Sequence, residues 1–224
     1  MVTDDDALPS SSGARLPSGR HGLPREAVAA SQRGRLLDAM AQVVAEKGYA
    51  ATTVADVVER AGVSRRTFYE QFADKEACFL AAYDVALAVV LGRIRDAAET
   101  GTAASGWRGR ARAGVEAFLA LLASEPAFAR ALQVEILTAG PAALERRDGM
   151  LVLFAGIWRN LHEAARAEEA ALRALPDEVF TVLTAGLEEL IRDCVRRRGT
   201  QALPELAEPI LRTVFAVFGA GPPD

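Results

Sequence analysis

The chain has 224 residues, half of them hydrophobic and only 6% aromatic, enough for one large or two small domains with a sizeable core. That balance, with its stock of Ala, Leu, Arg and Glu over β-branched residues, favours packed helices against a β-sandwich. The net charge of −4 is unevenly spread: residues 14–75 carry ten basic and seven acidic side chains, residues 76–224 carry sixteen and twenty, and three aspartates open the chain. The basic excess therefore lies in the first third.

In chain order, residues 1–24 hold Ser, Gly, Pro and Asp with almost no large apolar side chain. Such a segment buries too little surface to offset its ordering entropy, which predicts a disordered tail. Its scattered Arg15 and Arg20, with Arg25 just beyond, suit a basic arm on nucleic acid. Asp4, Asp5 and Asp6 stand where a signal peptide needs positive charge, so a cytoplasmic location is expected. No uncharged apolar run reaches the roughly 18 residues of a membrane span, and no membrane partner is expected.

Helical periodicity begins after Pro24, with Leu36, Met40, Val43 and Val44 as an apolar stripe and Gly48 as its stop. Thr53-Val54-Ala55-Asp56 has the form of a capping box opening a short helix that Gly62 ends. Ser64 then caps a second short helix running to Phe72, on which Phe68 and Phe72 share the inner face. Arg65, Arg66, Thr67, Tyr69 and Gln71 are left to project outward. Cys78, Ala82, Val85 and Val89 mark a long fourth helix capped by Asp74. Cys78 itself, far from Cys194, reads as a buried hydrophobe of a reducing compartment.

Three glycines in residues 101–109 mark a break. Beyond it, stripes through Trp107, Val115, Phe118 and Leu122, then Leu151, Phe154, Trp158 and Leu161, then Leu183, Leu187, Leu190 and Cys194, predict further helices. Pro126 and Pro176 stand at helix starts, and Gly199 follows the basic run Arg196-Arg197-Arg198 that suits a helix C-terminus. A last helix spans 204–218. The fold class is all-α, about nine helices without a convincing strand.

Two short helices joined by a glycine turn inside a bundle form the helix-turn-helix pattern, in which the second helix enters the major groove and the first crosses the backbone. Here the stretch 48–81, GYAATTVADVVERAGVSRRTFYEQFADKEACFLA, resembles the DNA-binding head of the TetR (tetracycline repressor) family of transcriptional regulators. The markers are Thr52-Thr53, Ala61-Gly62-Val63-Ser64, Thr67-Phe68-Tyr69, Phe72 and Asp74-Lys75-Glu76. With the first helix from Arg33 included, the match covers about 50 residues.

The resemblance implies a DNA-binding domain at 25–74 and a ligand-binding and dimerisation domain at 75–224. It implies phosphate contacts from Thr53 and Lys75, a sugar-phosphate contact from Tyr69, and base or near-base contacts from Arg65, Arg66, Thr67 and Gln71, beside the capping Ser64. Arginine can engage guanine bidentately, while hydroxyls and lysine anchor phosphates without reading sequence. Glu70 must point away from phosphate or accept from a cytosine amine.

The partners implied are double-stranded operator DNA, a second copy of the chain, and a small hydrophobic effector that releases the operator. For the effector, Phe118, Leu122, Phe128, Leu132, Phe154 and Trp158 are apolar lining candidates, and Glu135 and His162 polar ones. For the homodimer, the last two helices offer Leu187, Ile191, Leu211, Val214, Phe215 and Phe218, since the final helix is apolar on two sides and a monomer is expected to cover only one. His162 lacks a second histidine, so no metal is expected, and no cofactor or catalytic set is apparent. The alternative is an all-α enzyme or binding module without a regulatory DNA role.

Overall fold

The computed structural model describes residues 25–100 and 106–220. The tail 1–24 with Arg15 and Arg20, the side chain of Arg25, and the first half of the glycine-rich break lie outside the described residues. Among those described there are nine α-helices and no strand: α1 (Arg25–Lys47), α2 (Val54–Ala61), α3 (Arg65–Gln71), α4 (Lys75–Thr100), α5 (Gly106–Ser124), α6 (Pro126–Gln133), α7 (Pro141–Glu168), α8 (Asp177–Arg197) and α9 (Ala207–Phe218).

The local stop and start signals act as their chemistry requires. Thr53 and Asp56 close the capping box on α2, and Gly62 ends that helix at φ +64°, a left-handed conformation favoured by glycine. The Ser64 hydroxyl accepts from Thr67 N–H at 3.0 Å and caps α3; Asp74 accepts from Ala77 N–H at 2.8 Å and caps α4. Prolines open α6 and α7, their missing N–H falling where no helical bond is lost. The last helix, expected over 204–218, is shorter than its pattern, and the helix from Pro126 changes form at its end. α6 stops at Gln133 and continues as a 3-10 turn over Glu135–Thr138, and the segment before α9 is a 3-10 run over Thr200–Leu206.

α1 packs on α2, α3, α4 and α6 around Leu36, Met40, Val44, Val57 and Phe68, all fully or nearly fully buried. α4 has a stretch of mean hydropathy 1.8, apolar and long enough to cross a bilayer by composition, yet it runs through the bundle and packs on α1, α5, α6 and α7. Its inward stripe is Cys78, Phe79, Ala82, Tyr83, Ala86 and Val90. α7 and α8 are antiparallel neighbours, pinned by Arg159–Asp177 at 2.9 Å and Arg147–Glu188 at 3.2 Å.

The final helix departs from the expectation of one free apolar side. Leu211, Val214, Phe215 and Phe218 are all buried inside the protomer. Phe215 and Phe218 meet the Trp107 ring of α5 at 5.1 and 5.7 Å, while Phe218 also meets His162 of α7 at 4.7 Å and Phe180 of α8 at 6.4 Å. Aromatic side chains from three helices thus cover Phe215 and Phe218, and all four residues are buried within the protomer, where none can meet a second copy.

Candidate nucleic-acid interface and bundle cavity

The first site is the helix-turn-helix face. Phe68 and Phe72 anchor α3 inward with ring centroids 5.7 Å apart, and Arg33 from α1 lies 4.4 Å over Phe72 while donating to Gln71 O at 3.3 Å. With the inner face fixed, Arg65, Arg66, Tyr69 and Glu70 are exposed, and Thr67 and Gln71 are half-buried. Arg66 is held by Glu70 one turn later at 2.9 Å, whereas Arg65 forms no ion pair among the described residues. Glu70 therefore points along the helix to Arg66, which keeps its carboxylate from standing alone on the face.

Behind α3 the supporting shell is electrostatic. Asp56 accepts from Thr53 N–H at 2.8 Å and meets the Lys47 ammonium at 2.5 Å, and the Lys47 and Thr53 contacts hold its carboxyl well below the usual carboxylate range. Arg60 grips Glu46 through two bonds of 2.8 and 2.7 Å, tying α2 to α1 and lowering the Glu46 pKa. Lys75 is only partly free to meet phosphate. Its ammonium donates to Tyr49 O at 3.1 Å and Thr52 O at 2.9 Å and sits 4.4 Å from the Tyr49 ring centroid. Thus Lys75 also fastens the loop between α1 and α2 to the start of α4.

The second site is a cavity of about 310 Å³ lined by α4, α5, α6, α7 and α8 with Ile210 of α9, within the range of small-molecule pockets. Four of the expected lining residues, Phe118, Leu132, Phe154 and Trp158, are on its wall. The other four are not. Leu122 is buried in the core away from it, and Phe128 packs against the core. His162 is buried on the far face of α7 against Phe180 and Phe218. Glu135 points out of the bundle: it accepts from Tyr49 N–H at 2.9 Å and pairs with Arg130 at 3.1 Å, linking the cavity-forming helices to the DNA-binding head. Gly48, next to Tyr49, turns the chain at φ +80°, a left-handed conformation that favours glycine.

Leu187 and Ile191, expected at a dimer contact, are buried on the cavity wall instead. They are a turn apart on the inward side of α8, which packs on α6 and α7.

The sequence reading missed the α4 wall of Tyr83, Leu87, Val90 and Ile94, and the polar members Gln133, Thr184 and Glu188. Thr184 and Glu188 carried a usable signal, being polar residues four apart inside the stripe Leu183, Leu187 and Ile191. Glu188 is 6% exposed and pairs with Arg147 at 3.2 Å and Arg192 at 3.4 Å; burial nevertheless pushes its pKa up.

Residues 36–82 match the family described as bacterial regulatory proteins, tetR family. Two curated relatives come from Mycolicibacterium smegmatis. The HTH-type transcriptional regulator EthR is 30% identical over 174 residues, covering 75% of this chain and 76% of that protein. The HTH-type transcriptional activator FasR is 36% identical over 110 residues, and in that match the chain spans about half, 47%, of FasR's length. Among solved structures, the fatty acid degradation regulator FadR from Bacillus halodurans superposes with TM-score 0.73 at 19% identity, covering 82% of this chain and 94% of that one. FadR from Bacillus subtilis, solved in complex with stearoyl-CoA, gives 0.71 at 18% identity, covering 81% and 96%. These two likenesses concern the fold.

Proposed function

The chain belongs to the tetR family of bacterial regulatory proteins, and on that premise we propose a DNA-binding transcriptional regulator that leaves a near-palindromic operator when a small, largely apolar effector fills the bundle cavity. In this reading α3 enters the major groove. Arg65, Arg66, Thr67 and Gln71 meet bases, and Thr53, Ser64, Tyr69 and Lys75 meet the sugar-phosphate backbone.

One observation carries the switch: the DNA-binding head and the cavity share structural members. α4 begins at Lys75 beside Tyr49 and lines the cavity from Tyr83 to Ala98. Gln133 lines the cavity while Glu135, two residues on, hydrogen-bonds Tyr49 N–H. A ligand that favours a different packing of α4 and α6 thereby favours a different placement of α3. The stearoyl-CoA bound in the Bacillus subtilis FadR structure supports a ligand-binding role for this fold.

The protomer pair is assigned to α7 and α8. The cross-helix pairs 159–177 and 147–188 set the register of these antiparallel helices, which puts Val152 and Leu153 level with Val182, and Leu144 level with Leu190. All five are exposed, Val152 and Val182 by more than 70%. Gly149, Gly156 and Gly186 on the same helices have open space around them, which permits close approach. A two-fold axis there would present two α3 helices to half-sites about 34–36 Å, or a multiple of a helical turn, apart.

The test is operator affinity, measured by fluorescence anisotropy on DNA selected by the protein, with and without compounds that raise its melting temperature and alter Trp158 fluorescence. Coupling between sites is typically worth about 1–3 kcal/mol, so effector should weaken binding about 5- to 150-fold, and operator should weaken effector equally. A compound that fills the cavity and leaves operator affinity unchanged overturns the switch.

A further inference from the structure

The end of the cavity nearest the DNA-binding head carries unsatisfied polar chemistry. Tyr83 on α4 and Gln133 at the end of α6 both line it, and they are 2% and 5% exposed. The Tyr83 hydroxyl and the Gln133 Oε1 are buried without any hydrogen-bond partner. Buried polar groups are nearly always paired, so two orphans on one cavity wall point to a missing partner. They share that wall because α4 packs directly on α6, and Glu188, also on the wall, pairs at 3.4 Å with Arg192, which donates to Gln133 O at 3.1 Å.

The charged side chains of the same wall are already matched. Arg110, on α5, pairs with Glu168 at 2.8 Å, and Glu188 is held between Arg147 and Arg192. A charged ligand head would enter a desolvated wall whose counter-charges are taken. A neutral head that both accepts and donates would satisfy the phenol O–H and the amide, which can turn either its oxygen or its nitrogen to the ligand. Away from this end the wall is apolar, with Leu87, Val90, Ile94, Phe118, Phe154 and Ile157.

We propose that the cavity selects an effector with an apolar body and a single neutral head of the carboxamide or primary alcohol type, bound by Tyr83 and Gln133. The proposal rests on the reading of the cavity as the effector site and adds the specificity of its polar end. Tyr83 and Gln133 are its specificity-determining residues.

The experiment compares octanamide, octane, octanoate and octylammonium on the full-length protein, by calorimetry where solubility allows and by thermal stabilisation throughout. Octanamide should bind tightest, at one per protomer. Tyr83→Phe and Gln133→Met, close in volume to the residues they replace, should each weaken octanamide about three- to tenfold and leave octane unchanged. Tyr83→Phe also removes an unpaired buried hydroxyl, so the ligand-free variant should melt no lower than wild type; a lower melting temperature shows the hydroxyl already has a partner and overturns its assignment. If the amide and the hydrocarbon respond alike in wild type and both variants, or if an ion of either sign binds tightest, the neutral-head site is wrong while the effector cavity stands. If octane and the three headed compounds all fail to stabilise the protein, the cavity reading falls as well, and the head-group site with it.

Discussion

The imidazole of His162 lies 5.6 Å from the Phe180 ring and 4.7 Å from that of Phe218, and its Nε2 has no partner. Burial, and then the charge of Arg166, lower its pKa below the ordinary 6.5. The native state therefore resists a proton that the unfolded chain accepts. The contribution of this ring to stability is complete above pH 6.5 and is lost as pH falls through the depressed native value. Thermal melts between about pH 7 and pH 5 should show wild type losing stability faster than His162→Phe, which has no proton to take up. Parallel profiles over that interval would remove His162 as the titrating group. The sequence raised this residue as a polar cavity candidate, because a lone histidine on an apolar helix does not reveal which of its neighbours it will face.

At the scale of elements, α3 and the 133–135 segment act as levers with separable effects. If Arg65 meets a base edge as proposed, Arg65→Ala should relax base preference at one position of the half-site, with about 1–3 kcal/mol of discrimination lost, the size of a bidentate arginine–guanine contact. Lys75→Ala should weaken all DNA sequences alike, flatten the salt dependence by about one unit of slope, and also destabilise the fold, since its ammonium holds the carbonyls of Tyr49 and Thr52. Binding isotherms at several salt concentrations, paired with urea melts, separate these outcomes, and unchanged binding in both variants would overturn the assignment of the DNA face. Glu135→Ala leaves the buried Tyr49 N–H without its acceptor, at a cost of about 1–3 kcal/mol. Effector should then alter operator affinity by a smaller factor than in wild type. If the factor stays the same, α4 alone carries the coupling.

For the whole molecule, the decisive question is which surface meets a second copy. Val152→Asp and Val182→Asp place charge on residues already exposed in the protomer, so they should leave the melting temperature of dilute protein nearly unchanged and shift sedimentation toward monomer. Phe215→Asp should act oppositely. Its side chain is 2% exposed, and an unpaired carboxylate there costs several kcal/mol, so it should unfold the protomer before it separates a pair. A wild-type protein that sediments as a monomer at high concentration would remove the α7–α8 assignment altogether.

The sequence by itself determined the DNA-binding head. The Thr53–Asp56 box, the Gly62 stop, the Ser64 cap and the Phe68–Phe72 pair each act within a few residues, and local hydrogen bonds and backbone angles depend on little else. It also determined that the rest is helical, since the apolar periodicity and the prolines set where most helices begin. The tertiary structure alone decided the destination of each apolar stripe. Leu187 and Ile191 turn to the cavity, Phe215 and Phe218 turn to Trp107 and His162, and the faces of α7 and α8 around Val152 and Val182 stay exposed. The physical reason is that hydrophobic burial is non-directional. A stripe of leucines and phenylalanines states that it must be covered, and only the packing of helices distant in sequence states by what.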